Sequence, residues 1–138
     1  MINWSISFMI IGFCLILTGC QTPAERLKTS IDALQFQTIG GSDLGIPFAA
    51  STKNTRYIVS KGQKAVPLLV VVLKENEKPM LVGYAAYCLR IIGSSAGKEE
   101  AINSIGMLKV KNKVGLNMQE QFALHELVQY VNSIEETR

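Results

Sequence analysis

Ala65-Val66-Pro67-Leu68-Leu69-Val70-Val71-Val72-Leu73-Lys74-Glu75, followed by Asn76-Glu77-Lys78-Pro79 and then by Met80 through Ile92 to Gly93, is the stretch whose reading decides the fold. The apolar segment from Ala65 carries its proline early, where the first turn of a helix tolerates a missing amide. Glu75 to Pro79 is polar and ends in a second proline, which marks a turn. Beyond it apolar residues recur at Leu81, Ala85, Cys88 or Leu89, and Ile92, at helical spacings of three and four, and Gly93 stops the run. Two helices joined by a tight polar turn follow. Such a hairpin cannot bury its apolar surface alone.

The flanks extend the same theme. The body of the domain begins near Thr55, and Tyr57, Ile58 and Val59 lead into the breaker Lys61-Gly62, a short helix. Further upstream, Thr22 as N-cap, Pro23 at the first helical position and Glu25 at the third form a capping box. Leu27, Ile31 and Leu34 then give one apolar stripe, which Gly40-Gly41 ends. Residues 40–52, with three glycines, Pro47 and two serines, read as a loop. Downstream, Lys98 to Ile105 reads as a helix, and Leu108 to Val114 alternates with period two, as a short strand or extended connector would. Asn117 and Glu120 form another capping box, and Ala123, Leu124, Leu127, Val128, Val131 and Ile134 make a broad apolar face behind it.

Gly62, Ala65-Val66-Pro67-Leu68-Leu69, Leu73, Ala85-Ala86, Leu89 and Ile92-Gly93 together resemble a HEAT repeat, in particular the short HEAT-like kind of bilin-lyase-related proteins. The resemblance covers about residues 55–93, and Leu127 lies 38 residues after Leu89, near the period of such repeats. The family often has Asp in the turn and Arg early in the second helix. Here Asn76 or Glu75, and Val82, stand in those places, so no buried bridge between neighbouring repeats is expected. The resemblance implies an all-α fold: a short stack of antiparallel helical hairpins, a partial α-solenoid, following an N-terminal signal segment.

That segment is the other informative feature. Leu17-Thr18-Gly19-Cys20 matches the bacterial lipobox and closes an apolar run. From Phe8 to Leu17 no side chain is polar, yet Asn3, Ser5 and Ser7 leave the whole stretch short of the roughly 20 apolar residues that a membrane span needs. A processed leader fits, although Met1 to Ser5 carries no Lys or Arg. The match implies cleavage between Gly19 and Cys20 and acyl chains on Cys20, with palmitate among them. Gln21 follows in place of Asp, which by the usual sorting pattern implies the outer membrane in a Gram-negative host. The expected organisation is therefore a signal peptide over 1–19, a lipidated N-terminus with helix and linker loop over 20–54, and a HEAT-like helical domain over 55–138.

Removing 19 of 138 residues leaves 119, enough for one small domain. All 14 Lys and Arg and all 11 Asp and Glu lie after Cys20, so the mature chain carries +3. No dense basic block points to nucleic acid, while weak attraction to anionic headgroups is allowed. Cys14 leaves with the leader and Cys20 is the lipid site, so Cys88 stands alone and no intramolecular disulfide forms.

Four constellations bear on function. Gly93-Ser94-Ser95-Ala96-Gly97 has the letters of a nucleophile elbow, but that elbow needs a strand before it and a wide parallel sheet beneath it. His125, beside Glu126 and aligned with Gln121, Gln129 and Asn132, reads as solvated; one histidine and one unmodified cysteine make no zinc set, and Cys88 falls on a core position. Lys109, Lys111 and Lys113 would line one side of an extended segment, a charged edge or a weaker headgroup contact. Tyr84, Tyr87, Arg90 and Ile91 form a second stripe on the Met80 helix; it suits packing against the next helix, since stacked helices bury two faces, and its residue types are also those that anchor interfaces. The expectation is a non-enzymatic, cofactor-free, membrane-anchored envelope lipoprotein that binds another protein or joins an assembly. A bilin-lyase-like enzyme and an immunity or exclusion lipoprotein are the alternatives.

Overall fold

In a computed structural model, residues 19–138 are described. Leu17, Thr18 and Cys14, and with them nearly all of the expected leader, lie outside the described residues. The chain is mostly helical. Its elements in order are helix α1 (Pro23–Asp32) with a 3-10 turn (Ala33–Phe36), strands β1 (Ile39–Gly41) and β2 (Pro47–Ala49), and helix α2 (Lys53–Ser60) with a 3-10 turn (Gly62–Lys64). Helices α3 (Val66–Glu75), α4 (Pro79–Ile92) and α5 (Lys98–Lys111), a 3-10 turn (Asn112–Val114), and α6 (Met118–Glu136) complete it.

The α3–α4 hairpin forms as the prolines and the polar turn dictate. Pro67 and Pro79 both fall in first turns, and α3 is closed by Asn76 in the left-handed conformation at φ 49°. Gly93, at φ 77°, caps α4, its amide donating back to the carbonyls of Leu89 and Arg90. Helix α4 is the centre of the molecule. It buries Met80, Val82, Gly83, Tyr84, Ala85, Ala86, Cys88 and Leu89, nearly its full circumference, because α6 covers one side and α2, α3 and the 3-10 turn at Ala33–Phe36 cover the others. The α4–α6 seam is the most extensive helix contact. Gly83 makes it close: a Cβ there would stand 2.7 Å from Cδ1 of Phe122.

Both predicted capping boxes are present. Thr22 and Glu25 exchange side-chain-to-amide bonds at 3.2 and 2.9 Å, and Asn117 and Glu120 do so at 2.9 and 3.0 Å. A third, Thr52 with Thr55, starts α2.

Three expectations are corrected. Residues 40–52 are not a plain loop: β1 and β2 pair antiparallel, Ile39 opposite Ala49 and Gly41 opposite Pro47, around a turn with Gly45 at φ 73°. Nor does the stretch 20–54 link a tether to a separate body, since Leu27, Ile31, Leu34 and Ala49 share one core with Ile58, Leu69, Leu89 and Leu127. Leu108 to Val114 is neither strand nor extended connector; α5 runs on to Lys111 and a 3-10 turn follows. The apolar alternation there is the surface of an exposed helix. Glu99 and Glu100 in its first turn and Lys109 and Lys111 in its last complement the helix dipole.

Candidate functional site

Because α4 is enclosed on most sides, little of it reaches the surface. The outward strip is Tyr87, Arg90 and Ile91, at i, i+3 and i+4, so the three share one face. Ile91 is 49% exposed, while Tyr87 and Arg90 are half-buried, the guanidinium lying 5.5 Å from the centre of the Tyr87 ring. On one side the strip borders a shallow, apolar-walled groove of about 270 Å³ against α2, lined by Thr55, Arg56, Val59, Tyr87 and Ile91 among others. On the other side a more polar cleft of about 460 Å³ opens between Arg90, Lys98, Ser133 and Arg138 at the ends of α4, α5 and α6. Arg90 divides the two.

Tyr84, expected on this stripe, is not at the surface. The hairpin lies over it: the Tyr84 hydroxyl donates to the Thr38 carbonyl and accepts from the Ala50 amide at 3.3 Å. Its fully buried ring packs on Phe122, centroids 5.1 Å apart, and meets Tyr87 edge-on at 6.4 Å. Burial raises its pKa, the charge of Glu126 adds to the rise, and the Ala50 hydrogen bond opposes it.

Glu126 is the residue that sequence reasoning missed. By sequence it has no role beyond that of His125's neighbour, yet it is buried: Oε1 accepts from the Ala49 amide at 2.7 Å and Oε2 from Arg90 Nη2 at 3.3 Å. The pair's side chains are 30% and 2% exposed, so the bridge is sheltered from one side. Its signal was available. Phe122, Glu126 and Tyr130 stand four apart, and both flanking aromatics are buried, which puts the carboxylate on their stripe. A half-buried bridge thus joins Arg90 of α4 to Glu126 of α6. It ties the outward strip of α4 through α6 to β2.

The remaining candidates lie elsewhere in the fold. Gly93 to Gly97 follows a helix, not a strand, and makes the α4–α5 corner. Tyr130 locks that corner, donating to the Ser94 carbonyl at 2.7 Å and accepting from the Gly97 amide at 3.1 Å. Cys88 is fully buried, and burial, followed by the charge of Glu126, pushes its thiol up to about 12, far from a reactive thiolate. His125 is half-buried on α6. Lys111 pairs with Glu120, and Lys109 and Lys113 do not share an extended edge with it. Gly19 and Cys20 are exposed, and Cys20 stands two residues before the α1 cap. Among the described residues no group of acids, His and Cys is placed to hold a metal, and no helix is long and apolar enough to cross a membrane.

No protein-family profile matches the chain, no curated protein matches it, and no solved structure does.

Proposed function

We propose that this chain is a lipid-anchored lipoprotein of the bacterial envelope whose HEAT-like helical body binds another protein through the Tyr87–Arg90–Ile91 strip. The observation that carries the binding role is the strip itself. A well-anchored Tyr and Arg beside an exposed Ile, bordering an apolar groove, is the composition of interface hot spots. Arg90 is held in place by Glu126, so the strip is preorganised and little side-chain entropy is lost on docking.

The HEAT-like reading is supported by two successive helical hairpins, α3–α4 and α5–α6, with Leu89 and Leu127 both in the shared core. The anchor reading rests on Leu17-Thr18-Gly19-Cys20 and on an exposed Cys20 close to the start of the folded body. Acylation confines the domain near one membrane, the outer one in a Gram-negative cell, and raises its effective concentration toward partners there.

The experiment is a photo-crosslinker placed at Ile91 in living cells, with metabolic labelling by a clickable palmitate analogue. A discrete crosslinked species that disappears with Tyr87→Ala and persists with Lys109→Ala is expected. Labelling should vanish with Cys20→Ala. No crosslink from Ile91 would sink the binding role, and labelling that survives Cys20→Ala would sink the anchor.

A further inference from the structure

The positive charge of the chain is not spread over it. Residues 20–64 carry Arg26, Lys28, Lys53, Arg56, Lys61 and Lys64 against Glu25, Asp32 and Asp43, while the rest carries eight of each sign. The entire +3 therefore belongs to the α1–α2 layer, the part joined to Cys20. Within that layer the charges converge on one aromatic. The Arg26 guanidinium of α1 and the Lys61 ammonium each lie 4.9 Å from the centre of the Tyr57 ring. Lys53, four residues before Tyr57 on α2, shares its face.

Tyr57 is half-buried and the three cations sit at or near the surface. None of them forms an ion pair among the described residues, in contrast with Arg90, Lys98 and Lys111. Glu25, next to Arg26, is committed to the cap, accepting from the Thr22 amide. An amphipathic aromatic ringed by unpaired cations is the arrangement that suits a bilayer interface, where the ring lies at headgroup depth and the cations meet anionic lipids.

The geometry points to a membrane-docking face: Arg26, Lys53, Tyr57 and Lys61 seat the α1–α2 layer on an anionic phospholipid surface. The placement next to the acyl site rests on the lipoprotein reading above; the docking chemistry does not. Electrostatic attraction to a bilayer fades within a Debye length of about 8 Å, so only cations held close contribute. Cys20 lies two residues before the Thr22 cap, a reach of about 7 Å even when extended, and Arg26 is one turn into the helix. An anchor at Cys20 would hold the start of α1 near the headgroups, and with it Arg26, which packs on Tyr57.

The test uses residues 20–138, which contain the whole core described, with Cys20→Ser so that no acyl chain is present. Tyr57→Trp serves as reporter. Vesicles of phosphatidylcholine alone are compared with vesicles of equal parts phosphatidylcholine and phosphatidylglycerol. A blue shift and co-flotation with the mixed vesicles alone, abolished by high salt, are expected. At roughly fivefold in partitioning for each basic residue near the surface, Arg26→Gln with Lys61→Gln should weaken binding about 25-fold. The charge-matched pair Lys109→Gln with Lys113→Gln should leave it unchanged. Absence of binding to the mixed vesicles, or equal loss in both double variants, would overturn the docking face. Because these chains carry no acyl group, the outcome is independent of palmitate labelling at Cys20, and either reading can fail without the other.

Discussion

Helices α4 and α5 are both 14 residues long and adjacent in the chain, yet one is the core of the molecule and the other a strut on its surface. Helix α4 buries eight of its residues; α5 buries only Ala101 and Ser104 and leaves Ile102, Met107 and Val110 at 48, 63 and 68% exposed. What separates them is the side chains opposite. Gly83 lets Phe122 approach α4 closely, whereas α5 meets its neighbours through the small residues Ala101 and Ser104, the partly buried Ile105 and Leu108, a Ser104 hydrogen bond to the Leu73 carbonyl at 3.4 Å, and ion pairs near its ends. Length and helical propensity do not decide which helix carries the fold. Complementary small and large side chains do.

The contrast is broken most severely by Phe122→Ala. Loss of this fully buried ring from the seam should cost about 3–5 kcal/mol, read as a lower urea midpoint, while Met107→Ala on α5 should stay within about 0.5 kcal/mol. Next is the Arg90–Glu126 bridge. Arg90→Ala leaves a buried carboxylate with only the Ala49 amide and should cost about 2 kcal/mol, below the usual figure for a broken buried pair because water reaches the arginine side. Lys98→Ala, which breaks the open pair with Glu135, should cost less than about 1 kcal/mol.

A matched pair of glycines gives the sharpest comparison. Gly83→Ala must displace Phe122 and should destabilise by about 1–2 kcal/mol despite alanine's better helix propensity. At Gly106 on α5 a Cβ would meet nothing within 4 Å, so Gly106→Ala should stabilise by up to about 1 kcal/mol. One substitution, two helices and opposite signs of the shift in thermal midpoint are expected; equal signs would show that α5 is packed as α4 is.

The smallest effect is on pH. A side-chain hydrogen bond from Lys111, with the Asn117 amide second, holds the Glu120 carboxyl below its ordinary value. A depressed acid stabilises the fold above its unfolded pKa, and that contribution disappears as pH falls through the folded one. Glu120→Gln should therefore flatten part of the loss of thermal midpoint between about pH 5 and pH 3.

What the sequence disclosed followed from strong local chemistry. The two capping boxes, Pro23 and Pro67 in first turns and the glycine stop after Ile92 each depend on a few neighbouring residues, and each stands where the sequence places it; Pro79, which reads as the end of the turn, instead opens α4. What it concealed depended on distant partners. Three-residue strands are too short for period two to register, and the hairpin is held by Glu126, 77 residues from Ala49. Tyr84 belonged to the Tyr87 stripe by spacing, but only the hairpin folding over it decides that it is buried. Helix α5 lacked a clear helical period because so little of it is covered.

The sheltered bridge at Arg90 has a consequence for how the molecule would respond to its surroundings. With the guanidinium already neutralised by Glu126, the Tyr87–Ile91 strip presents shape and apolar area with little free charge, so contacts made there should tolerate salt. The cations around Tyr57 have no such partner, and contacts made there should be erased by salt. Ionic strength would then discriminate between the two proposed faces, weakening any contact made at the Tyr57 cations while sparing any made at the Tyr87–Ile91 strip.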